Sequence, residues 1–164
     1  MKKTILEMTQ LTIGQFYLVD KYSLDRTDKR VRHLSKIEKA FKKAYGVDTD
    51  VLYVDAKDKA LIKSKKTNGY YHNIRKHIVV FLTNDIEANT RTLLHELTHA
   101  YQAKHMTAKY NASKRERLEG KVNYINSWHE RHARSCADKL MSYGFTIDIS
   151  SVPAYKVRVA NKAA

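Results

Sequence analysis

The run Thr92-Leu93-Leu94-His95-Glu96-Leu97-Thr98-His99-Ala100-Tyr101-Gln102 decides how this chain is read. Leu93, Leu94, Leu97, Ala100 and Tyr101 recur at helical spacing, so the segment reads as an amphipathic helix with one apolar face. His95 and His99, four residues apart, then stand one turn above the other on a second face, where both imidazoles can reach a single metal ion. Glu96 falls beside that ion rather than behind it.

Two neutral imidazoles suit zinc, which lowers the pKa of a bound water to about 7, and a neighbouring carboxylate can take the water's proton as it attacks a carbonyl. A catalytic zinc usually needs a third protein ligand and an open position for water. Candidates lie downstream in Trp128-His129-Glu130-Arg131-His132-Ala133 and, nearer, at Glu116 and Glu119. His129 or His132 would complete a set of three histidines, whereas Glu130 would add a carboxylate. Ala133 and Ala137, three and seven residues beyond Glu130, are small enough to let a second helix approach the first closely.

Taken together, His95-Glu96-x-x-His99 and the downstream Glu130 resemble the gluzincin clan of zinc metallopeptidases. The continuation Ala100-Tyr101-Gln102 also resembles small metallopeptidase-like proteins of phages and mobile elements. The resemblance covers residues 76–143. It implies an α+β fold: a small zincin-like domain whose mixed or antiparallel sheet packs with the His-Glu-x-x-His helix and a second, glutamate-bearing helix. It further implies Zn²⁺ held by His95, His99 and Glu130, with Glu96 as general base in the hydrolysis of a protein or peptide substrate. In such a fold a strand preceding the metal helix forms the exposed sheet edge, to which an extended substrate adds antiparallel. Arg134 departs from the pattern, standing where many gluzincins carry an aspartate that orients a ligand histidine; Asp138 is the remaining candidate for that task. The glycine-rich extension of the metzincins is absent after His99. Tyr124, His129, His132 and Tyr143 are candidate donors to a developing oxyanion.

The bulk of the chain agrees with one catalytic domain over residues 1–152 and a basic tail over 153–164. Its 164 residues, 43% hydrophobic, suffice for a core. Neither a membrane-length apolar run nor a secretory leader is legible, since Glu7, Thr9 and Gln10 interrupt the first apolar residues. A cytoplasmic protein that makes no membrane contact is expected. Cys136, the only cysteine, can form no intramolecular disulfide and reads as packing.

Thirty-one Lys and Arg against seventeen Asp and Glu give a net charge of +14, which favours nucleic acid, nucleoprotein or an acidic protein as partner. The charge is spread over residues 29–43, 63–66, 104–117 and 156–162. It supports an alternative to catalysis: a zincin-fold binding protein with little turnover, gripping nucleic acid or an acidic protein through its basic surface.

In order, residues 13–19 read as a strand. Residues 24–45 read as a helix capped by Ser23 or Asp25, stopped by Gly46 and striped by Val31, Leu34, Ile37, Phe41 and Tyr45. Residues 51–54 and 78–82 read as strands, the latter the clearest in the chain, with a turn at Asn68-Gly69 or at Asn73. The metal helix is capped at residues 83–85 or later at Asn89-Thr90 and runs to about Met106. A short helix is expected over residues 113–119, and a long one begins near Asn123 and closes at Gly144. Phe145, Ile147 and Ile149 alternate with polar residues as a last strand. Beyond Pro153 the tail is expected to be poorly ordered or loosely packed.

Overall fold

The computed structural model describes residues 18–62, 64 and 68–159. The described elements are mixed α and β, in chain order α1 (Lys29–Tyr45), β1 (Asp50–Asp55), β2 (Gly69–His72), β3 (His77–Leu82), α2 (Ile86–His105), α3 (Thr107–Leu118) and α4 (Trp128–Tyr143). Short 3-10 turns occupy Ala56–Asp58 and Ile149–Ser151.

The sheet has the order β1-β3-β2, with β1 parallel and β2 antiparallel to the central strand. All six residues of β3 are buried because both of its faces are covered. Ile78, Val80 and Leu82 point into the main core with Leu93, Leu94 and Leu97, while Val79 and Phe81 join Val19, Val54 and Ile62 on the opposite side. This two-sided burial is why the strand reads as an unbroken apolar run and not as an alternation. β3, which directly precedes α2, is therefore central; the antiparallel edge is β2, one strand earlier. Gly69 permits that edge to lie close, since a Cβ there would meet the Val79 carbonyl at 2.7 Å and the Thr92 methyl at 3.0 Å.

The hairpin turn falls at residues 73–76, with Lys76 at a φ of 50°, so Asn73 marks it and Asn68-Gly69 leads into β2 instead. Asp28 caps α1, not Ser23 or Asp25; its carboxylate accepts from the Arg30 N–H. Arg30 in turn pairs with Asp28 and Asp55, each at 2.8 Å, fastening the start of α1 to the end of β1. Gly46 ends α1 in the left-handed region, as its position foretold.

Four expectations change. The strand expected at residues 13–19 lies mostly outside the described residues, and Leu18 and Val19 belong to a helical stretch over 18–22. The short helix expected at 113–119 is a twelve-residue one, α3. Residues 145–149 do not form a strand: with no sheet edge beside them, Phe145 and Ile147 pack on the main core and the Ile147 carbonyl accepts from Tyr45 Oη at 3.0 Å. The tail over 153–159 has no regular structure and is mostly exposed, but α4 and Asn126, just before that helix, hold its backbone. Ser135 donates to the Pro153 carbonyl at 2.6 Å, Arg131 to the Tyr155 carbonyl at 2.7 Å, and Asn126 to the Arg158 carbonyl at 2.8 Å. Among the described residues, no helix is long and apolar enough to cross a membrane.

His77, at the start of β3, gives the fold a pH dependence. Burial, with His72 and Arg75 nearby, pushes its imidazole down to about 4, and its ring stacks on His72 at 5.2 Å. The unfolded chain takes up this proton near pH 6.5 while the folded one refuses it, so stability is complete above that pH and falls as the pH drops toward 4. The expected loss is about 2–3 kcal/mol across that window. Urea midpoints measured from pH 7 to pH 4 should show it, and His77→Phe should flatten that part of the curve.

Candidate metal centre

α2 is amphipathic in the sense that builds a site. Leu93, Leu94, Leu97 and Ala100 enter the core, while Glu96, His99 and Gln102 are also buried, the last two against α4. Asp85 caps the helix through the Ala88 N–H, leaving Asn89 to bond Thr83. α4 carries the small residues Ala133 and Ala137 fully buried, and Ala137 packs in the same core as Leu93, Leu94 and Leu97 of α2. That proximity carries Glu130, near the start of α4, across to the two histidines.

His95, His99 and Glu130 offer one donor atom each within 4.8 Å of one another, a grouping that can hold a metal ion. His99 Nε2 lies 3.1 Å from His95 Nε2 and 2.9 Å from Glu130 Oε1, and His95 Nε2 lies 3.1 Å from Glu130 Oε2. A tetrahedral ion with nitrogen and oxygen ligands at about 2.0–2.1 Å holds its donors about 3.3 Å apart. Each imidazole faces its own oxygen of Glu130 at a distance within a few tenths of an ångström of that figure, and the donor set suits such an ion in its chemistry.

The charges follow. Burial alone would push His99 down, but the Glu130 carboxylate outweighs it and, with Gln102, lifts the imidazole to about 9. Burial would raise Glu130, yet His99 and His95 hold its carboxyl well below the usual range. Glu96 is 7% exposed and lies in the same pocket, its charge felt by His99, Tyr110 and Tyr124.

The competing ligands sort themselves by their partners. His132 Nε2 donates to the Ile149 carbonyl at 3.0 Å, while its Nδ1 meets Gln102 Nε2 at 2.8 Å, so both ring nitrogens are engaged in the core. His129 Nδ1 faces Ser113 Oγ at 2.7 Å, and Ser113 Oγ also accepts the His129 N–H at 3.1 Å. This leaves Nε2 turned toward Glu130 Oε1 at 3.9 Å. Burial and the His99 charge push His129 down to about 4, so it is neutral at pH 7. Glu116 and Glu119 are exposed, and Glu119 pairs with Lys121 at 2.7 Å.

Gln102 was not singled out by the motif, and it supplies the support that Arg134 does not. His99 Nδ1 donates to Gln102 Oε1 at 2.9 Å, and the Gln102 amide donates onward to the His129 carbonyl at 3.0 Å and to His132. Its clue was positional: three residues beyond His99, it shares that residue's face of the helix. Arg134 instead donates to the Ile125 carbonyl at 2.6 Å, and Asp138 is occupied by Arg91 and the Tyr155 hydroxyl. Replacing Gln102 by Leu, of similar volume, should weaken metal binding about 10–100-fold, measured by competition with a chromophoric chelator.

Among the oxyanion candidates, the Tyr124 phenol is hydrogen-bonded to Glu130 and its ring lies 6.4 Å from that of His129. Tyr143 is 64% exposed and faces Lys139. Tyr110, missed in the sequence, is 3% exposed with its ring 6.4 Å from His99. The chain matches none of the protein-family models, curated proteins or solved structures with which it was compared.

Proposed function

We propose that this protein is a zinc metallopeptidase of gluzincin type, built on a zincin-like domain. The observation that carries the reading is the convergence of His95, His99 and Glu130, with the buried Glu96 in the same pocket. Those three residues would hold the zinc. When bound, zinc supplies a water acidic enough to ionise near pH 7 and a Lewis acid for the substrate carbonyl.

Glu96 takes the proton of the attacking water on its carboxylate and returns it to the leaving amine. Burial, followed by the charge of Glu130, raises the Tyr124 phenol far above its ordinary value, so it stays a neutral donor. Tyr124 Oη, once released from Glu130, and His129 Nε2 would supply the donors to the developing oxyanion. The edge of β2, unpaired on its outer side among the described residues, would take an extended substrate as an added strand.

The test is cleavage of an unfolded protein mixture by the zinc-loaded chain, read by mass spectrometry with and without a chelator. New termini that require zinc are expected. A protein that holds one equivalent of zinc and cuts nothing would overturn the reading in favour of a binding protein.

A further inference from the structure

We propose that the face of α3 beside the metal centre is a subsite for an acidic side chain, formed by Lys114 and Arg117, so that the peptides accepted carry Asp or Glu beside the bond to be cut. The reference to a cut bond rests on the peptidase reading; the acidic subsite itself does not.

Positions 110, 113, 114 and 117 share one face of α3. Its inner part belongs to the site: Tyr110 lies against His99 and His129, and Ser113 is bonded to His129. The same face continues outward as cations. Lys114 Nζ is 5.4 Å from the centre of the Tyr110 ring, and the Arg117 guanidinium is 4.5 Å above the Tyr124 ring. Each cation is thus one aromatic ring away from a metal ligand. Both are half-buried, where a charge–charge contact is screened less than in open water.

Arg75, at the hairpin turn, and Lys114 both act on His72 at the end of β2, so a further cation belongs to this neighbourhood. The carboxylates whose charge Tyr110 and Tyr124 feel, Glu96 and Glu130, already belong to the metal centre. Among the described residues Arg117 makes no ion pair; nearby Glu119 is taken by Lys121. A guanidinium held over an aromatic face still presents an N–H fork, which receives a carboxylate through two hydrogen bonds. Two cations three residues apart and next to the metal centre match one carboxylate side chain better than the long phosphate track of a nucleic acid.

The experiment uses fluorescent peptides of one length and sequence that differ only in a central Glu-Glu, Gln-Gln or Lys-Lys pair. Binding to the zinc-loaded Glu96→Gln protein is read by anisotropy at physiological salt. The Glu-Glu peptide should bind at least about tenfold more tightly than the Gln-Gln one. Arg117→Gln with Lys114→Gln should erase that ratio while leaving the Gln-Gln affinity in place. Equal binding of the three peptides overturns the proposal without any variant, and so does displacement of the Glu-Glu peptide by single-stranded DNA of higher affinity. Selective binding without cleavage by the wild type would retain the subsite and overturn the peptidase reading; indiscriminate cleavage would do the reverse.

Discussion

Exchanging Glu96 for glutamine is expected to slow the proposed peptide hydrolysis by about 10²–10⁴-fold while the protein keeps one equivalent of zinc. The amide nearly matches the carboxylate in volume but cannot accept the proton of an attacking water. Because Glu96 stands outside the three-donor grouping, its loss removes no donor from that set. Paired measurements of turnover and bound metal check this. Activity within tenfold of wild type would sink the assignment of Glu96 as base, and loss of zinc would make it a ligand.

Glu130→Ala should have the larger effect on the metal, leaving two imidazoles where three donors converge, and bound zinc should fall below about a tenth of an equivalent. His99→Ala should do the same. His132→Ala should retain metal, since both of its ring nitrogens are engaged by Gln102 and Ile149. Retention in Glu130→Ala combined with loss in His129→Ala would move the third ligand to His129, whose Nε2 is already 3.9 Å from Glu130 Oε1. Elemental analysis of protein purified without added metal decides between them.

What could be read beforehand was whatever repeats with the period of a helix or is marked by a cap. The metal helix, the glutamate helix and α1 all have apolar faces at that period, and Gly46 and Gly144 close two of them. α3 escaped at its true length because, of its twelve residues, only Tyr110 and Ser113 are buried, leaving no apolar stripe to detect. Residues 145–149 alternate as a strand does, but alternation describes a half-buried segment and supplies no partner to pair with. The site was legible in its donors and not in its supports. Gln102 earns its place through contacts with residues 27 and 30 positions away, which no local spacing reveals. The pairing of Lys114 and Arg117 with Tyr110 and Tyr124 likewise depends on how α3 folds back over α2.

The link from His99 through Gln102 and His132 to the Ile149 carbonyl also bears on the order in which the chain is made. A growing polypeptide presents His95 35 residues before Glu130, an interval of about 2–7 s at ordinary rates of synthesis, and His99 four residues later. Ile149, the far end of the relay, comes 17 residues after His132. Nascent chains that stop short of residue 130 hold two donors of the three, and those that stop short of 149 lack the acceptor that orients His132. Completion of the centre is thereby tied to synthesis through residue 149, which delays the proposed hydrolytic capacity until the helices that hold its donors have been made.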